Sequence, residues 1–257
     1  MSVAQTQSAY RVTLGRAIRS ESIKLAGLRA TVWLIGAALI IPFLITLIWA
    51  SVAPGPADAA SILDTATPSS FATLIILILI GIMTATSDYE SNGAIQTYSV
   101  VPARTPVVLA KYAIVLVIAL AISLVTAIGT FALADALRGG GMDAWSPDAT
   151  RVLLDLALAE TCYALTGVAV GLIVRSAIGS LGVILGFFYL VPLILGLIPV
   201  DAVNLLGQSI PGASLGTLIS ITTTEGRLDP ATLTLTTVLW TALWLVAAAI
   251  TVKRRNI

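Results

Sequence analysis

The sequence contains no histidine and one cysteine, Cys162, in 257 residues. Without histidine, Ser-His and Cys-His nucleophiles and histidine-ligated metals are excluded. A single cysteine, itself inside an apolar run, permits no intrachain disulfide. Charge is scarce as well: 11% of residues are Asp, Glu, Lys or Arg, against about 25% in a soluble protein. No G-x-x-x-x-G-K sequence occurs, so the chain has no P-loop to cradle nucleotide phosphates. No basic cluster resembles a nucleic-acid patch, and no carboxylate pair or Ser-Lys arrangement marks a soluble cleft. Taken alone, the chain carries no catalytic residue, no metal site and no cofactor site.

What is present is hydrophobicity, at 58% of residues. It comes in runs of about 20 residues, the length a helix needs to cross a hydrocarbon core of about 30 Å. The fold class is all-α: a single polytopic membrane domain with six transmembrane helices, at about 31–52, 70–86, 107–134, 147–174, 177–199 and 231–252. The first run is too long for the apolar core of a signal peptide. Trp33 and Trp49 flank the first span as interfacial aromatics do, and Pro42 should kink it. Ser146 before Pro147 reads as an N-cap followed by proline at the first helical position, opening span four. Residues 1–30 read as a basic amphipathic helix in the membrane interface, with Leu14, Ile18, Leu25, Leu28 and Val32 on its apolar side.

Between spans two and three lies the chain's most informative polar stretch, Ser87 to Lys111. Ser87 followed by Glu90 has the form of a capping box, which predicts a short helix starting there. Pro102 and Pro106 would end regular structure before the apolar run near Val107. On these residues alone the segment is either a docking device or a solvated loop. A second stretch, Asp201 to Pro230, is long for a plain loop. Its apolar series, including Val203, Leu206, Ile210, Leu215 and Leu218, predicts short helices packed at the membrane face.

Six spans place both termini on one side. Arg11, Arg16, Arg19, Lys24 and Arg29 lie before span one; Arg104, Lys111, Arg175, Lys253, Arg254 and Arg255 fall on the same side. The opposite loops hold only Arg138, Arg151 and Arg227, among more acids. The positive-inside rule therefore predicts that both termini and Ser87–Lys111 are cytoplasmic. The predominance of Arg over Lys and the abundant Ala suit a bacterial plasma (inner) membrane.

Four stretches, in order, resemble the membrane permeases of ABC type-2 exporters. They are SESIKLAGLRATVW, YESNGAIQTYSVVPARTPVVLAK, GVAVGLIVRSAIGSLGVILGFFYLVPLIL and SIPGASLGTL. The resemblance implies a dimeric transmembrane subunit, paired with a second copy or a homologous permease, in an ATP-driven exporter. A separate cytoplasmic ABC ATPase would bind ATP and Mg, and the absent P-loop agrees independently. It also implies that the interfacial helix, with Glu21 and Lys24, and a coupling helix, with Ser87, Asp88, Tyr89, Glu90, Gly93, Ala94 and Gln96, meet that ATPase. Arg104 and Lys111 would fall on the return into span three. Ala94 departs from the Thr usual in the family after this glycine, which removes a hydroxyl there.

Inside the membrane, Glu160 stands out, because a carboxylate at depth is expensive and marks a functional site by default. It could equally be a structural, protonated group; in a competing reading it is the coupling carboxylate of a self-sufficient ion- or proton-coupled carrier. Phe71, Phe187, Phe188, Tyr189 and Glu160 are candidate lining residues of a substrate path, which with so few charges suits an apolar or amphipathic cargo. Gly167-x-x-x-Gly171 and Gly182-x-x-x-Gly186 are either dimer seams or packing sites between helices of one subunit.

Overall fold

The computed structural model describes residues 13–53, 58–90, 104–139, 144–218 and 228–254. Among them every regular element is a helix, and six helical stretches are long and apolar enough to cross a membrane. The chain is therefore an all-α, multi-pass membrane protein. In order the elements are α1 (Leu14–Gly27), α2 (Arg29–Val52), α3 (Ala59–Glu90), α4 (Arg104–Arg138), α5 (Pro147–Val174) and α6 (Ala177–Leu185). A π-helical turn (Gly186–Leu190) joins α6 to α7 (Val191–Gly196), and α8 (Asp201–Ser209), α9 (Pro211–Leu218) and α10 (Pro230–Arg254) follow.

The centre of the bundle is α5, which packs against α3, α4 and α10. About 78% of its apolar window is buried, against 22% for α2, for the α6–α7 span and for α10. Small residues bring α5 onto α3. A Cβ at Gly81 would collide with the Ala164 carbonyl, one at Gly167 would lie 2.7 Å from the Ile78 carbonyl, and one at Gly171 would press on Ala85. With lipid tails as apolar as leucine, such close approach is what holds membrane helices together. Gly167 and Gly171 are thus an internal seam. Gly182 and Gly186 meet nothing within 4 Å.

Several boundaries differ from the sequence expectation. α3 begins at Ala59 rather than near Ser70. Asp58 caps it: the Ser61 N–H donates to Asp58 Oδ1 at 2.9 Å. The Ser- and Thr-rich stretch that follows reads as loop, yet its hydroxyls bond back along the helix, Thr65 to the Ser61 carbonyl (2.7 Å) and Thr67 to Leu63 (2.8 Å). At the other end α3 runs on through Ser87 to Glu90. The capping-box reading of Ser87 is therefore wrong: Ser87, Asp88 and Tyr89 belong to the last turn of α3, not to the start of a new helix. The reason is local, since no Gly or Pro falls between Ile82 and Glu90 to stop α3. α4 likewise starts at Arg104, and Pro106 sits in its first turn, where a missing N–H costs nothing.

Ser146 caps α5 by accepting from the Ala149 N–H. Arg175 ends α5 in a left-handed conformation, φ 63°, with its N–H on the Gly171 carbonyl. Ser176 then caps α6. The π-turn has a chemical cause: Pro192 has no N–H to give the Phe188 carbonyl. That carbonyl is approached instead by Gly212 at the start of α9, where any Cβ would collide with it. Asp201 to Leu218 thus forms two short helices against the membrane domain, with Ile210, Leu215 and Leu218 buried; residues 219–227 lie outside those described.

Candidate functional site: a buried ring of charge

α1 buries Ala17, Glu21 and Leu25, four residues apart, so the inward face of this helix carries a carboxylate at its centre. Glu21 is only 3% exposed. Its Oε1 accepts from Lys24 Nζ at 2.7 Å and its Oε2 from Lys111 Nζ at 2.7 Å. Lys111 stands two turns into α4 and is 1% exposed. Asp88, on the last turn of α3, faces both lysines: Lys24 Nζ lies 3.2 Å from Oδ1 and Lys111 Nζ 2.9 Å from Oδ2. The second contact is an ion pair outside hydrogen-bond alignment. Lys111 also donates to the Thr84 carbonyl at 2.8 Å, one turn before Asp88 on the same face of α3.

Glu21, Lys24, Asp88 and Lys111 therefore close a ring in which charge alternates and sums to zero. The ring ties α1 to α3 and α4, the two helices that lead into and out of residues 91–103. Buried charges of one sign would cost several kcal/mol each; alternation and hydrogen bonding are what make this burial tolerable. Lys24 is the ring's opening to solvent, with 35% of its side chain exposed. Burial, the largest influence on it, disfavours its charge, but the Glu21 bond and the Glu21 and Asp88 charges outweigh that and hold its pKa above the ordinary lysine value.

Beside the ring, the Arg175 guanidinium stacks 5.1 Å from the centre of the Tyr89 ring, joining the α5–α6 turn to the end of α3 by a cation–π contact. The Tyr89 hydroxyl and Arg175 Nε are buried without hydrogen-bond partners.

The residues expected to meet a partner thus divide. Glu21 and Asp88 turn inward and are engaged by the ring, Asp88 from the last turn of α3. Lys24, Ser87 and Tyr89 are only part-buried. Gly93, Ala94 and Gln96 lie outside the described residues, as does the side chain of Glu90. Sequence reasoning counted Lys111 among the loop charges. The available signal was its place within an unbroken apolar run, where a lysine needs a partner.

Glu160 is 1% exposed in the middle of α5. Ser123 of α4 is within electrostatic reach, but neither the Ser123 hydroxyl nor Glu160 Oε2 has a hydrogen-bond partner. The structure does not bring the aromatic path candidates together on one lining. Phe71 is 43% exposed on α3. Phe188 is buried edge-on against Tyr163, and Phe187 packs with Trp240 and Trp244 of α10. Tyr189 points outward, 37% exposed. Among the described residues no cluster of three metal-ligating side chains forms.

The fold and the site define a helical membrane domain whose first helix, α1, is locked by buried charge to the ends of two spans. The family model for the ABC-2 family transporter protein matches residues 17–198, and the chain belongs to that family. The match contains the charge ring, α5 and the π-turn; α8, α9 and α10 lie beyond it. No curated protein matches the chain.

Proposed function

We propose that this protein is the transmembrane subunit of an ATP-driven ABC exporter, working as a dimer with a second copy or a homologous permease. A separate cytoplasmic ATPase that binds ATP and Mg powers it. The observation that carries this reading is the charge ring. It fastens the interfacial helix to both helices that flank residues 91–103, so force applied to that segment or to α1 is delivered to α3, α4 and, through the α3–α5 seam, to the bundle centre. The contact surface for the ATPase is then Lys24, Ser87, Tyr89 and the segment carrying Glu90, Gly93, Ala94 and Gln96, with Glu21 and Asp88 acting behind it as positioning residues. The α1 end is cytoplasmic by the positive-inside rule, in a bacterial inner membrane. The cargo is apolar or amphipathic, in keeping with the few charges among the spans.

Copurification of an ABC-type ATPase with the chain, and loss of transport when that ATPase's phosphate-binding lysine is replaced, are the expected results. Transport that continues without ATP hydrolysis would instead favour the carrier reading built on Glu160, whose unpartnered Oε2 is the one observation on its side.

A further inference from the structure

At the end of the bundle opposite α1, the C-terminus of α2, the N-terminus of α3 and the C-terminus of α4 border an open cavity of about 250 Å³. Trp49, Val52, Ala53, Ser61, Asp64, Thr65 and Arg138 line it. Drug-sized pockets occupy about 300–1,000 Å³, so this one fits a smaller group. Its polar wall is built into the fold. Arg138 Nη1 donates to the Ser61 carbonyl at 2.8 Å and to Thr65 Oγ1 at 2.9 Å, which pins the guanidinium across α3. Asp64, an exposed residue, lies in the same lining. Asp58, which caps α3, is within electrostatic reach of Arg138. The lining therefore holds one pinned positive charge, Arg138, and one carboxylate, Asp64.

The apolar side is formed by α2. Below Val52 on α2, Ile48, Leu44 and Ile40 recur every fourth residue and are 68%, 64%, 51% and 59% exposed in that order from Val52. This makes one continuous strip from the cavity mouth into the membrane, and its 12-residue separation corresponds to roughly 18 Å of helix. A single leaflet's hydrocarbon is about half of a 30 Å core, so the strip matches an acyl chain in length. Trp49, half-exposed at the rim, has the interfacial position of such side chains.

We propose that this cavity binds the headgroup of a zwitterionic phospholipid, with its phosphate on the Arg138 side, its ammonium against Asp64 and an acyl chain along the Val52–Ile40 strip. The Asp64 carboxylate disfavours an anionic headgroup that lacks an amine, because nothing on such a headgroup would offset it. The strip favours the lipid over a soluble amino-phosphate of the same chemistry. The site is separate from the charge ring and holds whether or not the chain is an exporter.

The test is native mass spectrometry of the full-length protein released from nanodiscs that contain equal amounts of phosphatidylethanolamine and phosphatidylglycerol with identical acyl chains. Phosphatidylethanolamine should be retained in preference. Asp64→Asn, which changes one exposed side chain and no described hydrogen bond, should lower that preference roughly three- to fivefold, as expected for losing one partly solvated ion pair. Asp148→Asn, an exposed carboxylate at the same end but outside the cavity, should leave it unchanged. Equal retention of the two lipids by the native protein, or a preference that survives Asp64→Asn, would overturn the proposal. Displacement of the lipid by soluble phosphoethanolamine at concentrations no higher than a short-chain phosphatidylethanolamine requires would overturn the lipid assignment.

Discussion

The protein buries carboxylates in two places and treats them in opposite ways. At the α1 end, Glu21 and Asp88 share two lysines in a closed ring. In the middle of α5, Glu160 is as deeply buried as either, yet Oε2 has no partner. The first arrangement takes charges out of water and repays much of the cost by alternation. The second has no ion-pair partner among the described residues. Burial alone therefore says little about what a carboxylate does; the surrounding partners decide whether it holds helices together or waits for something.

The comparison is broken most forcefully at Lys111. Lys111→Met leaves Glu21 and Asp88 buried with only the part-exposed Lys24 between them, and removes the side-chain donor to the Thr84 carbonyl. Removing one partner of a buried pair costs about 3–5 kcal/mol, so this variant should show the largest fall in thermal stability in detergent. A bulky side chain in the α3–α5 seam should come next. Gly167→Leu drives a side chain into the Ile78 carbonyl and should cost at least the roughly 1–3 kcal/mol typical of overpacking, whereas Gly182→Leu, with open space around it, should change stability by less than about 1 kcal/mol.

Lys24→Met should have a smaller effect, no more than about 1 kcal/mol, because this lysine is more than one-third exposed and solvent screens its pairs. Its pH dependence has a definite sign. A folded-state pKa above the ordinary lysine value means the pairing stabilises fully below that value and is lost as pH rises through the folded pKa. Stability from this pair should thus be flat across neutral pH and decline only in strong alkali, a decline that Lys24→Met abolishes. Glu160→Gln should be the mildest change to the fold, within about 1 kcal/mol of the native protein, since no ion pair among the described residues depends on Glu160. Far-reaching destabilisation by Glu160→Gln would mean that Glu160, too, holds the helices together.

Much of the architecture was legible because bilayer crossing imposes one strong signal, an apolar run of about 20 residues. The six spans, the Ser146 cap before Pro147 and the α8–α9 pair follow from hydropathy and local chemistry. The start of α3 was not legible because Ser and Thr favour loops by propensity, and only the tertiary setting turns their hydroxyls onto the helix's own carbonyls. Ser87 and Glu90 match a helix-start pattern, but a pattern of two residues carries no information about whether a preceding helix has already ended. The ring was half-visible: Glu21 and Lys24 are three residues apart on one helix, whereas their partners are separated from them by 64 and 90 positions in sequence. No spacing rule reaches that far. The two glycine pairs look alike in sequence and differ in the fold because only one faces another helix.

The central claim is that Glu21 and Lys111 act as one unit joining α1 to the two helices that flank residues 91–103. A double-mutant cycle with Glu21→Gln and Lys111→Met, read by thermal unfolding of the purified protein, addresses it directly. If the pair is coupled as the structure indicates, the double variant should be more stable than the sum of the two single losses, with an interaction energy of about 1–3 kcal/mol. Strict additivity would contradict it.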